Sequence, residues 1–256
     1  MIIREARERP LSWPERRKQI PSWSVPFFAI EWVWEWTAFL LSRWTFVVVL
    51  EYLGSLSILV AVFFYFHDSE NRVKQRHYQA WQVINTAQGK GGSGGRIEAL
   101  QELNEDGVPL VGVDVSGAFL QGVHLGKARL LRSDFSAADV RNSDFKAADL
   151  QDSDLHSANF RQSSFEKASL LGARMDDADL QGTNLSDADL SGATLDNADL
   201  RFVAMNNTNW SNIRSIKRAN LFGVRNAPNG FLQWSVKHGA VQIENDDQWE
   251  RSGPRQ

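Results

Sequence analysis

From Leu110 to Trp210 a large apolar residue stands at every fifth position: Leu110, Val115, Leu120, Leu125, Leu130, Phe135 and onward through Phe145, Phe165, Leu185 and Met205. Two places before each centre comes a small residue, usually alanine or serine, as at Ala128, Ser133, Ala138, Ser143, Ala148, Ser153 and Ala158. A period of five fits neither the alternation of a strand nor the 3.6-residue turn of a helix. It fits a chain that turns a corner every five residues and points both marked positions inward. Nothing larger than threonine or valine fills the small position, which is the signature of a steric limit. All seven prolines lie outside 110–227. The frame slips after Trp210, where Ala219-Asn220-Leu221 is displaced by one residue, so a bulge or loop is expected at 211–217.

The flanks carry other patterns. Residues 96–104 predict a short helix with Ile97, Leu100 and Leu103 on one side and Gly107 at its C-terminal end. Residues 227–240 predict a second, opened by Pro228 and carrying Phe231, Leu232, Trp234 and Val236. Both suit lids over the open ends of a stacked structure, since unpaired edges recruit other strands. The polar residues 244–256 predict a disordered tail.

Residues 44–66 are apolar apart from Glu51 and a few hydroxyls, and at about 1.5 Å per residue they would span roughly 34 Å. They predict a single transmembrane helix. Glu51 within it is a candidate intramembrane polar site, for a proton path or a contact between helices; a carboxylate near the interface is the equal alternative. Residues 27–42 place Glu31 and Glu35 on one helix face and Phe28, Trp32, Trp36 and Phe39 on another. They predict an interfacial amphipathic helix, with a second span as the rival. Six of the ten tryptophans fall in the first 44 residues, in keeping with an interface. Arg72, Lys74 and Arg76 after the span favour a cytoplasmic C-terminal part. A helix over about 68–88 then leads to GKGGSGG at 89–95, read as a flexible linker because it lacks the order of a phosphate-binding loop.

The expected organisation is thus an N-terminal segment over 1–43, a span over 44–66, a juxtamembrane helix and linker over 67–95 and a cap over 96–109. The repeat over 110–226, a capping helix over 227–243 and the tail over 244–256 complete it.

Charge narrows the function. There are 28 basic and 31 acidic residues overall, and 15 acidic against 13 basic within 110–226, so no nucleic-acid partner is expected. Cysteine is absent, which excludes disulfides, thiolate metal sites and cysteine nucleophiles. The five histidines are scattered. No catalytic residue, metal ligand or cofactor site is expected, and the chain is read as no enzyme.

The pentads ADLQD (148–152), ANFRQ (158–162), ADLQG (178–182), ADLSG (188–192) and ADLRF (198–202) closely resemble the pentapeptide-repeat family. The resemblance covers about 110–226 and implies an all-β solenoid, a right-handed quadrilateral β-helix of about five coils with short capping helices. With the span it points to a bacterial inner-membrane protein with its β-helix in the cytoplasm. If four pentads make one coil, every fourth pentad shares a side. One side then gathers Asp114, Asp134, Asp154, Asp176, Asp177 and Asp196, and the next balances Asp139, Asp179 and Asp199 against Arg141, Arg161 and Arg201. Another carries Leu131 and Leu171 where polar residues are expected. An aspartate just before a centre commonly bonds the turning backbone. The candidate partner surface is therefore Asp176, Asp177, Asp196, Arg141, Arg161, Arg201, Leu131 and Leu171. Phe119 and Phe202 pack under a lid or mark an exposed docking point.

The expected function is a membrane-anchored, non-enzymatic scaffold whose rigid surface binds a protein partner, with the lipid bilayer and a second copy of the chain as further partners. Two other readings stay open. One is an oligomeric, channel-like transport assembly using Glu51, with the β-helix as an appendage. The other, implied by the resemblance, is a DNA mimic that binds type II topoisomerase.

Overall fold

The computed structural model describes residues 8–21, 24–42, 45–67, 69–86 and 93–251. Seven helices are found there: α1 (Trp13–Arg17), α2 (Val25–Ser42), α3 (Thr45–His67), α4 (Ser69–Thr86), α5 (Arg96–Glu105), α6 (Phe231–Lys237) and α7 (Asp246–Arg251). The chain divides into two compact units, Met1–Val73 and Lys74–Gln256.

In the first unit the aromatic stripe of α2 is covered by the segment before it. Trp13 packs on Trp32 with ring centroids 5.6 Å apart, and Trp32 donates its indole N–H to the Leu11 carbonyl at 2.8 Å. Arg16 pairs with both Glu31 and Glu35. The residues read as an interfacial face thus hold α1 against α2.

No helix among the described residues is long and apolar enough to cross a membrane. This overturns the single-pass anchor expected over 44–66, the inner-membrane location, and the cytoplasmic placement that was argued from it. The lipid-bilayer partner loses its basis for the same reason, and so does the transport assembly. Glu51 divides the apolar run: Tyr52–Phe66 is fifteen residues, about 22 Å of helix against a hydrocarbon core of about 30 Å. The Glu51 side chain itself lies outside the described residues, as do positions 89–92 of the expected glycine linker.

The second unit is the solenoid. Each pentad contributes a two-residue turn, a small inward residue, an outward residue and the inward centre, and parallel bridges join residues twenty apart: Asp114 to Asp134, Asp134 to Asp154, Asp154 to Arg174. Twenty residues therefore make one coil of four sides. Side one is centred on 115, 135, 155, 175 and 195; side two on 120, 140, 160, 180 and 200; side three on 125, 145, 165, 185 and 205; side four on 110, 130, 150, 170, 190 and 210. All twenty-one centres are buried except the half-buried Trp210 of the last coil. The small positions are closed from above by the backbone: the hydroxyls of Ser153, Ser163 and Thr208 each donate to a carbonyl of the preceding coil at 2.8 Å. The turns carry positive φ, and seventeen non-glycine residues adopt it, from Lys127 to Asn226.

The spacing of bridges changes once. Asp189 pairs with Asn209, twenty residues on, but Thr194 pairs with Ser215, twenty-one on. One extra residue therefore enters between these rungs, within the stretch expected to bulge.

Both ends are covered. Ile84 and Ala80 of α4 pack with Leu100 and Leu103 of α5 over the first coil. Gln101 accepts the His124 N–H at 2.9 Å and Asn104 donates to the Gly126 carbonyl at 3.1 Å, which satisfies edge groups of that coil. Gly107, at φ 70°, ends α5, with Val108 N–H bonded to Leu103 O at 2.8 Å. At the other end Phe231 of α6 is fully buried against Trp210, with centroids 5.7 Å apart. Val241 then adds a last rung by bonding Ala219 and Leu221, both at 2.8 Å. Residues 246–251 depart from the expected disordered tail, because they form α7 and return to the coils.

Candidate docking groove

Outward positions come in columns, because the residues before and after each centre repeat every coil. On side two the column after the centre is Gln121, Arg141, Arg161, Gln181 and Arg201; the turn beside it holds Gly122, Asn142, Gln162, Gly182 and Phe202. Together Arg141, Asn142, Arg161, Gln162, Gln181, Gly182 and Phe202 line a groove of about 490 Å³. A second hollow of about 240 Å³ adjoins it at Arg161 and is bounded by Asp177, Asp179, Asn197, Arg201, Asp246 and Trp249.

The three arginines are held differently. Residues either side of a centre both point outward, so Asp139 and Arg141 meet across Val140. Arg141 donates from Nε at 2.8 Å and from Nη2 at 2.7 Å to the two carboxylate oxygens. These bonds hold the Asp139 carboxyl below its ordinary range and raise the guanidinium in turn. Position 159 is asparagine, so Arg161 reaches forward one coil to Asp179 through Nε. Its terminal nitrogens make no bond among the described residues, and its side chain is 45% exposed. Arg201 is only 6% exposed. It bonds Asp199 at 2.9 and 2.5 Å, the Glu244 carbonyl at 3.1 Å and the Asp246 carboxylate. The Asp199 bonds are the main cause of its raised pKa, working against burial.

The sequence-derived surface is only partly assembled. Arg141 and Arg161 do come together. Arg201 is taken out of the accessible surface by residues 244–249, which corrects its place on it. Asp176 accepts the Thr194 hydroxyl at 2.7 Å and the Asp196 N–H at 2.9 Å, while Asp196 accepts the Lys217 N–H at 2.7 Å. Both therefore tie successive coils together on side one, although they lie outside the slot before a centre. Asp177 is exposed and lines the smaller hollow. Leu131 is half-buried and Leu171 is 41% exposed on side four, two coils apart with Gln151 between them. Phe119 and Phe202 both stand exposed, at 53% and 43%.

Aspartates before a centre do bond the turn, as with Asp134 to Ser136 N–H at 2.8 Å and Asp144 to Lys146 N–H at 2.8 Å. Among the described residues no group of three or more histidines and carboxylates is placed to hold a metal ion. Reading the sequence missed Gln181 and the contribution of α7. The signal for α7 was present: Asn245 before Asp246-Asp247, with Arg251 at the far end, is the pattern of a helix start and stop.

The family model for pentapeptide repeats matches residues 110–146, 143–182 and 173–211, in eight copies. Residues 110–211 are a pentapeptide-repeat domain. Such repeats wind as a right-handed quadrilateral β-helix. No curated relative matches the chain. Among solved structures the chain is similar to a pentapeptide repeat protein of the cyanobacterium Cyanothece 51142, at 26% identity and a TM-score of 0.33. That likeness covers 39% of this chain and 65% of the other, so the chain spans less than two thirds of that relative's length. It is also similar to a pentapeptide repeat protein of the Arabidopsis thaliana thylakoid lumen, at 23% identity, TM-score 0.26, covering 54% of this chain and 92% of that one. A third is QnrB1, a plasmid-mediated fluoroquinolone resistance protein, at 18% identity, TM-score 0.30, covering 56% and 84%.

Proposed function

We propose that the pentapeptide-repeat domain is a non-enzymatic docking surface for a protein partner, with the side-two groove as its contact. The observation that carries this reading is the groove's composition: two half-engaged guanidinium groups, three side-chain amides, an open glycine and an exposed Phe202, all on one face of a stacked coil. Arginine and aromatic side chains are the groups that dominate protein interfaces. A surface whose backbone is fixed by bonds to both neighbouring coils loses little entropy on binding.

The groove favours protein over a DNA-mimic role. A mimic of the duplex needs a continuous negative surface, and this face alternates Asp139, Asp179 and Asp199 with arginines. On side one Asp154 is further offset by Arg174, at 3.0 Å.

Site-specific photo-cross-linking tests the reading. A photoreactive residue at Gln162 or Gln181 is expected to give a discrete adduct that a residue at Asp187, on side three, does not give. The same adducts from all three positions, or none from the groove, would contradict it.

A further inference from the structure

We propose that the Arg141–Arg161 stretch of the groove binds an acidic segment of a partner protein that carries an aromatic residue about three positions after its carboxylate. This rests on the docking function above and names the chemistry of the partner.

The template is the chain's own C-terminus. Arg201 stands in the same column as Arg141 and Arg161, on the same backbone frame and one place after its centre. At that rung the segment 244–249 is already seated. The Asp246 carboxylate pairs with Arg201, the Glu244 carbonyl accepts from its Nη1 at 3.1 Å, and the Trp249 ring lies 5.6 Å from the guanidinium carbon. Trp249 also donates its indole N–H to the Arg218 carbonyl at 3.0 Å. The molecule thus shows what this column accepts: a carboxylate on the guanidinium, with an aromatic ring beside it three residues later.

Two rungs of the column are left open. Arg161 commits Nε to Asp179 and keeps its terminal nitrogens, and Arg141 commits Nε and one terminal nitrogen to Asp139. Neutral Gln181 separates this pair from the occupied rung, and the tail comes no nearer than the hollow that its Asp246 and Trp249 share with Arg161. Asn142 and Gln162 offer amides to a partner backbone, and Phe202 offers an exposed ring at the groove's end. The flanking Asp139 and Asp179 repel a continuous polyanion but leave room for single carboxylates placed between them, which selects an acidic peptide over nucleic acid.

The test uses the full chain and a fluorescent peptide of sequence IENDDQWER, matching residues 243–251. Saturable binding is expected by anisotropy. It should weaken at least tenfold with Arg161→Glu, less with Arg161→Gln, and at least tenfold when both peptide aspartates are asparagine. Arg132→Glu, an exposed turn residue on side four, should leave it unchanged. Absence of saturable binding, or equal affinity for the neutral peptide or for Arg161→Glu, overturns the proposal. Groove-specific cross-links at Gln162 that persist without peptide binding would sink the acidic class alone; loss of both would sink the docking function as well.

Discussion

The rings of Phe145 and Phe165 lie one coil apart on side three, with centroids 5.2 Å apart and planes within 13° of parallel. Phe160, on the adjoining side, meets both edge-on, at 5.8 and 5.1 Å. Five-residue spacing in the sequence becomes vertical stacking in the core because twenty residues close one turn. The tube has no second layer to absorb a void. Phe165→Ala is therefore expected to cost about 3–5 kcal/mol. Chemical denaturation followed by circular dichroism reads this directly. Exposed Phe119→Ala should stay within about 0.5 kcal/mol of the parent.

The small positions test the opposite error. Ala148 is buried where the wall of one coil meets the next, and the equivalent Ser153 and Ser163 fit only by donating inward. Ala148→Leu adds three heavy atoms with no space for them and should destabilise by about 1–3 kcal/mol. Ala148→Ser should be far milder. Equal tolerance of both would mean the position is not a steric limit.

Arg201 and Asp199 form a pair whose side chains are each 7% exposed. Removing the cation leaves a buried carboxylate unpaired, so Arg201→Ala should cost about 3–5 kcal/mol. It should also release α7, seen as faster amide exchange over 246–251 and a shift in Trp249 emission. Loss of stability without any change in α7 would separate the two roles and count against the tail docking on this residue.

Asp139 titrates below its ordinary value because Arg141 bonds its carboxylate. A folded value depressed below the unfolded one contributes stability that is fully present above the unfolded value, about 3.9. That contribution disappears as pH falls through the folded value. Arg141→Gln should therefore lower stability at neutral pH and flatten the loss as pH falls below about 4. Parallel denaturation midpoints for parent and variant across that range would contradict the assignment.

The coils were legible in the sequence because inward packing imposes its constraint on every pentad, and one inserted residue shows up as a shifted frame at Ala219-Asn220-Leu221. The backbone-bonding aspartates could be read for the same reason: each sits in one slot of the repeat. Features outside the repeat had no such redundancy. Ala80 and Ile84 sit among the polar residues of α4, so their place in the first cap followed from the coil they cover. Arg201 shares the Ala-Asp-x-Arg pattern of Arg141, and the return of residues 244–249 is what distinguishes the buried arginine from the exposed one. The 44–66 stretch misled because its length and composition were averaged across Glu51.

The groove exists only if Arg141 and Arg161 occupy one column, and Arg201 is its template only if it stands in that column too, so the alignment of columns is the claim on which the rest depends. The chain has no cysteine, which makes spin labels at chosen outward positions clean. Labels at Lys127 and Asp187, three coils apart on side three, should lie about 14 Å apart by their backbones, and labels at Lys127 and Asn207, four coils apart, about 19 Å. An increment of about 4.8 Å for the last twenty residues is the predicted result. A distance between Lys127 and Asn207 that is broad, or that does not grow by one coil, would contradict the account.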